Sequence, residues 1–264
     1  MDEVTTQLSD SGVLTITLNR VESRNALSAS MATSVSSAFE RADGDDAVRV
    51  VVITGSGDSF CAGADLSRGP AVFDRPADGF TACPIRPTAW QIRKPVIAAV
   101  NGHAIGIGMT IVLHCDIRVM ARRAKYSIVQ VRRGVMPDAF SHWTLPRIAG
   151  MGVAADLLLT GRTFDGDEAL RVGIASRVVD ADEVMSTARS IADDIAVNTN
   201  PLSVAVTKRL LWSSFESSVE HIGDEETRLH GVLLGSADSR EGVESFLARR
   251  PPAWESRVPR DWPA

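Results

Sequence analysis

Cysteine is scarce in this 264-residue chain. The three present, Cys61, Cys83 and Cys115, are odd in number, widely scattered and without metal-ligand spacing. That excludes a disulfide scaffold and a thiolate metal cluster as organising features, and reduced thiols in a cytoplasmic protein are expected. Positive charge is not in excess either: 28 Lys and Arg against 33 Asp and Glu leave a net charge of −5. No basic field draws nucleic acid or an anionic membrane, so neither is expected as a partner. An anionic ligand must be held locally, by backbone N–H groups and a few placed Arg or Lys side chains. Long apolar runs are missing: none approaches the ~18 residues that span a bilayer. The acidic start, Met1-Asp2-Glu3-Val4, lacks a basic segment followed by an apolar run, and no secretory signal is expected. Internal repeats and low-complexity linkers are absent too.

What is present is ordinary globular composition, 44% hydrophobic and 23% charged, enough for a core. Residues 13–18 (VLTITL) alternate with a strand period after a weaker strand at 4–8. An Ala-, Ser- and Met-rich stretch from Asn25 to Arg41 fits a helix. Residues 48–54 (VRVVVIT), 95–100 (PVIAAV) and 115–120 (CDIRVM) read as parallel strands covered on both faces. Strand, turn and helix recur, which points to an α/β architecture. Beyond Met151 helical patterns dominate, at 151–159, 165–172, 181–197, 201–218 and 239–249. Thr199-Asn200-Pro201 reads as a break followed by a helix that begins on proline. Residues 1–198 are read as a core domain and 199–264 as a helical extension.

Two turns stand out because small residues follow buried-type strands. One is GDSFCAGADL, residues 57–66; the other is NGHAIGIGM, residues 101–109. Ligands in α/β sheets sit beyond the carboxyl ends of strands, and small residues there admit a ligand close to the backbone. One free N–H from each turn, aimed at one point, would make an oxyanion hole. The glycines at 102, 106 and 108 do not give the GxGxxG order, so a dinucleotide fold is rejected. Close strand–helix packing is the competing account of each turn taken alone.

The ordered set RNALS, FCAGADL, VNGHAIGIG, CDI and LPRIAG, spread from about Leu14 to Phe246, resembles the crotonase superfamily of enoyl-CoA hydratases and isomerases. The resemblance implies a spiral of ββα units with a C-terminal helical trimerisation region. It further implies an acyl-CoA thioester substrate, a homotrimer or hexamer, and no cofactor apart from the coenzyme A carried by the substrate. By the same likeness the oxyanion donors are the N–H groups of Ala64 and Ile107, the latter where many members have glycine. Arg24, Ala26 and Leu27 with Ala62, Asp65 and Leu66 match coenzyme A contacts, and Phe246 matches an aromatic near the adenine end. A solvated surface cation is the other reading of Arg24. The segment between Leu66 and Lys94 matches the acyl pocket, and Trp90 within it is expected to limit acyl size or to pack in the core.

Typical hydratases of that family use two glutamates. Their positions fall here on Thr110 and Gln130, and neither is a useful general acid or base near neutral pH. The nearby carboxylate is Asp138, in RRGVMPDAFSHW. It resembles the acidic residue of some Δ3,Δ2-enoyl-CoA isomerases, dienoyl-CoA isomerases and a dehalogenase. Beside Met136, Phe140 and Trp143 its pKa is expected to rise by desolvation, which suits a base that takes a proton from the α-carbon and returns it two carbons along. A helix N-cap is the competing role. The expectation is an enoyl-CoA isomerase using Asp138, with Thr110 and Gln130 at hand. The alternatives are a hydratase with a non-standard water-positioning set and an acyl-CoA-binding protein without turnover. His142 is the candidate auxiliary acid or base; His103 is expected to point away from the thioester, His114 and Cys115 to be core, and Arg132 and Arg133 to meet phosphate or form ion pairs.

Overall fold

The computed structural model describes residues 2–74 and 80–263; part of the expected acyl-pocket segment, residues 75–79, therefore lies outside the described residues. The strands are β1 (Val4–Leu8), β2 (Val13–Leu18), β3 (Val50–Gly55), β4 (Ser59–Cys61), β5 (Val96–Val100), β6 (His103–Ile105), β7 (Ile117–Ala121), β8 (Tyr126–Ser127), β9 (Thr163–Phe164) and β10 (Arg177–Val179). The helices are α1 (Ala29–Gly44), α2 (Ile107–Val112), α3 (Ser141–Ala149), α4 (Met151–Thr160), α5 (Gly166–Arg171), α6 (Val184–Asn198), α7 (Pro201–Ser213), α8 (Val219–Leu233) and α9 (Ala237–Ala248).

Two sheets result. One has the order β1-β2-β3-β5-β7-β10 and the other β4-β6-β8-β9. Consecutive strand pairs β3–β4, β5–β6 and β7–β8 each place one strand in each sheet, so the chain winds as a spiral. Pairing is parallel apart from β1 with β2 and β8 with β9. The β3 run is buried at every position, as is β5, because both faces of a parallel sheet are covered. Helix α6 covers β3, β5 and β7 with Val184, Ala188, Ala192 and Ala196, an i, i+4 stripe of small side chains that lets the helix lie close. The α/β architecture expected from the strand–turn–helix rhythm is therefore the one formed.

The differences lie at junctions. The helix expected from Asn25 begins instead at Ala29, where the Ser28 side chain accepts from Met31 N and caps it. Arg24 and Asn25 before it are both left-handed, with φ of 52° and 55°, which no helix tolerates. Asn25 is fully buried and holds three backbone groups: its Oδ1 accepts from Arg20 N, and its Nδ2 donates to the carbonyls of Ser56 and Ser59. His114 and Cys115 follow α2 rather than opening a strand; both are buried, as expected. Helix α8 had no expected counterpart, and the helix read over 201–218 ends at Ser213.

The helical end is pinned to the core by one buried cation. Lys208 Nζ on α7 donates to the Ala89 and Lys94 carbonyls at 2.7 and 2.8 Å and pairs with Asp116 Oδ2 at 2.8 Å. Asp116 Oδ1 accepts from Trp212 Nε1 at 2.7 Å. No helix among the described residues is long and apolar enough to cross a membrane.

Candidate active site

The two small-residue turns leave neighbouring parallel strands at the same end. β4 and β6 pair with Ser59 opposite His103 and Cys61 opposite Ala104. The turns are pressed backbone to backbone: a Cβ on Gly108 would stand 2.4 Å from the Cys61 carbonyl oxygen. Glycine is therefore required there for a steric reason.

Each turn offers one backbone donor. Leu27 forms a parallel bridge with Ala64, its N–H donating to Gly63 O at 2.7 Å and its carbonyl accepting from Asp65 N at 3.1 Å. In that pattern the backbone groups of the middle residue, Ala64, face away from Leu27. Ala64 is exposed, and its N–H has no backbone acceptor among the described residues. Ile107 is the first residue of α2, where helical N–H groups lack a partner within the helix. Gly106 delivers it there with φ 55° and ψ −123°, a conformation open to glycine, and is itself tied to β8 through Gly106 N to Ser127 O at 2.7 Å.

One turn along α2 stands Thr110, fully buried. Its hydroxyl lies 3.0 Å from the Ile107 carbonyl and 2.9 Å from Asp138 Oδ1. Gln130, in the 3-10 turn Gln130–Arg133, donates from Nε2 to the same Oδ1 at 3.0 Å. The structure thus brings Thr110, Gln130 and Asp138 to one oxygen atom. Among the described residues no side chain donates to Asp138 Oδ2, and the Asp138 backbone N–H also leans on its own carboxyl. Burial pushes the Asp138 carboxyl above its usual range, partly offset by the Thr110 and Gln130 hydrogen bonds and by nearby His142. Asp138 is not a helix cap. The N-cap of α3 is Phe140, with no side-chain bond, and Asp138 contributes only its carbonyl, to Ser141 N at 2.9 Å. Gln130 Oε1 and Ser141 Oγ are buried without a protein partner.

The loop that carries Asp138 is held from behind. His114 Nε2 donates to Ala139 O at 2.6 Å, and Ala139 N to Ala82 O at 3.0 Å. His114 is wholly buried, which lowers its pKa to about 4 and keeps the ring neutral. Nothing in the local sequence marked this support, because His114 and Ala139 lie 25 positions apart.

The expected coenzyme A contacts form one rim. Ala62 N donates to Arg24 O at 3.0 Å, and the Leu27–Ala64 bridge joins the same two segments. Arg24 and Leu66 are exposed. Asp65 is engaged by the protein: Arg20 pairs with it at 2.8 Å, and Ser67 N donates to it at 2.9 Å. The Ser67 bonds and Arg20 lower its pKa to about 2. Arg20, which also donates to Ala26 O at 2.6 Å and pairs with Glu3, was not singled out in the sequence; an arginine just ahead of RNALS was the available signal. Phe246 stands on α9, 80% exposed, and no hydrogen bond or ring contact ties it to the rim. Arg132 is spent on the Thr160 carbonyl at 2.7 Å. His103 accepts from Lys125 N through Nδ1 at 2.9 Å.

Residues 9–257 match the family model described as enoyl-CoA hydratase/isomerase. An enoyl-CoA hydratase of Alternaria alternata is 38% identical over 254 residues, 94% of this chain and 84% of that protein. An (E)-benzylidenesuccinyl-CoA hydratase of Thauera aromatica is 36% identical over 242 residues, 90% of this chain and 94% of that protein. Among solved structures, a probable enoyl-CoA hydratase/isomerase from Mycobacterium abscessus matches with a TM-score of 0.94 at 45% identity, over 97% of this chain and 99% of that one.

Proposed function

The chain belongs to the enoyl-CoA hydratase/isomerase family, and from that premise we propose that it shifts the double bond of an enoyl-CoA, with Asp138 as the proton-carrying base. The observation that carries this reading is that Asp138 is the one carboxylate held by Thr110 and Gln130, the two positions where typical hydratases of the family have glutamate. Thr110 and Gln130 occupy the hydrogen-bonding capacity of Asp138 Oδ1 and leave Oδ2 for substrate. The thioester carbonyl oxygen would sit between the Ala64 and Ile107 N–H groups. These donors are worth most as the carbonyl becomes an enolate, so they lower the barrier to removing an α-proton. Asp138 Oδ2 takes that proton from the α-carbon and returns it to the γ-carbon. One proton leaves and one arrives, and the double bond moves into conjugation. A carboxyl raised by desolvation is a stronger base for this step than one in water. The exposed Arg24 and Leu66 would meet the coenzyme A moiety, with Ala26 and Ala62 beside them on the rim. Exposed apolar Phe246 and Leu247 on α9, 80% and 73% exposed, support self-association of this end.

Hydration is the second reading, favoured by the names of the relatives and by buried Gln130 Oε1, which finds no protein donor. A water or substrate hydroxyl donating to it would satisfy that oxygen. Parallel assays of the purified protein with 3-hexenoyl-CoA and crotonyl-CoA separate the two. Isomerisation that disappears in Asp138→Asn is the expected result; hydration of crotonyl-CoA that survives Asp138→Ala would overturn the proposal.

A further inference from the structure

Six rings adjoin the Asp138 loop. Phe140, two residues beyond the carboxylate, meets Trp90 edge-on at 5.4 Å, and Trp90 meets His114 edge-on at 4.5 Å. Trp90 leads to Trp143 at 5.6 Å and to Trp212 at 5.4 Å. Phe215 closes the row against Trp143 and Trp212, at 5.5 and 5.8 Å and nearly perpendicular to both. The three indole planes lie within 34° of one another, so the row offers flat faces bounded by two phenyl edges.

Packing alone does not account for this row. A core-facing cluster is buried, yet Phe140 is 40% exposed and Phe215 37% exposed, and none of the three tryptophans is among the fully buried side chains. The row also spans the junction between the core and α7, which supplies Trp212. Two cations close its outer side: Arg86 lies over Phe140 at 5.2 Å and Arg147 over Trp143 at 4.8 Å.

Phe140 follows Asp138 by two residues, and Trp90 touches both Phe140 and His114, the residue that supports the Asp138 loop. Resting on the proposed activity of that site, we infer that the acyl tail is aryl-substituted and lies against the Phe140–Trp90–Trp143 face. Aromatic partners gain an electrostatic term from offset-stacked and edge-to-face contact that an alkyl chain of equal area lacks. A straight chain obtains only the burial term from the same surface.

Binding of saturated, unreactive thioesters tests this apart from the chemistry. Titration calorimetry with 3-phenylpropanoyl-CoA and its saturated counterpart 3-cyclohexylpropanoyl-CoA, matched in carbon number, on the full-length protein is expected to show the phenyl compound binding about tenfold tighter. Phe215→Leu, at a half-open position, and Trp143→Leu are each expected to cut that ratio to about threefold, by weakening the phenyl compound more than the cyclohexyl one. Equal binding of the two thioesters, or a preference that both substitutions leave intact, would overturn the inference. Because neither ligand reacts, these outcomes stand whether the enzyme isomerises or hydrates. Failure of the proposed activity would show instead in turnover, with aryl preference in binding unchanged.

Discussion

His114 Nε2 lies 2.6 Å from the Ala139 carbonyl, directly behind the carboxylate-bearing residue Asp138. Ala139 and Phe140 both sit in the left-handed region, at φ 45° and 56°. For residues with a Cβ that costs about 1–3 kcal/mol each and persists only where surroundings impose it. The buried imidazole is one of those impositions, so Asp138 is aimed by a residue that need not touch substrate.

Replacing that donor while keeping a ring is informative. His114→Phe retains the contact with Trp90 and leaves the Ala139 carbonyl unpaired, at an expected cost of ~1–3 kcal/mol in urea unfolding. kcat should fall with KM little changed. The pH dependence should change as well. Burial holds His114 at about 4, below its ordinary 6.5, so the unfolded chain binds a proton that the folded one does not. Stability from this group is present above pH 6.5 and lost as pH falls towards about 4. Thermal melts across that window should lose this slope in the variant.

Asp138→Asn keeps an oxygen for Thr110 and Gln130 to donate to but abolishes the base. A fall in kcat of ~10²–10⁴ is expected. Stability should move the other way. A carboxyl whose pKa burial raises is a liability to the fold once ionised, so above its raised pKa asparagine removes that liability. The melting advantage of the variant should shrink as pH drops through the raised Asp138 pKa, and the wild-type rate should rise with pH through that same value.

Ile107→Pro removes the N–H proposed as an oxyanion donor and little else. Proline is accepted at the first position of a helix, and Gly106 at ψ −123° lies outside the α region that a following proline disfavours. The expected loss is ~10²–10³ in kcat, with Ile107→Val, which keeps the N–H, near wild type. Equal rates for the two variants would remove Ile107 from the oxyanion hole.

Lys208→Met leaves the partly buried Asp116 without its cation and frees α7 from the Ala89 and Lys94 carbonyls. Breaking such a pair costs ~3–5 kcal/mol, readable as a fall in melting temperature. Asp116→Asn alongside Lys208→Met should recover part of it, because the uncompensated charge is then gone.

Much of this protein was legible in one dimension. The β-branched runs of β2, β3 and β5 and the order of motifs point to the α/β spiral, and the small-residue turns after β3 and β5 are where the proposed Ala64 and Ile107 donors lie. These are local signals: a period of two, a glycine where a Cβ would clash, a carboxylate beside apolar residues. Other features lacked a local signature. The second sheet is built of strands two or three residues long, too short for alternation to register. Helix α8 buries only Leu229, and Asp224, Glu225 and Glu226 interrupt its apolar spacing between Ile222 and Leu229. The convergence of Thr110 and Gln130 on Asp138 joins positions 28 and 8 residues apart, and the His114 support spans 25. Residue type determined which groups could hold an enolate and move a proton. Only the folded chain decided that the two positions without glutamate serve the one carboxylate, because hydrogen bonds between distant segments depend on backbone positions set by the packed sheets.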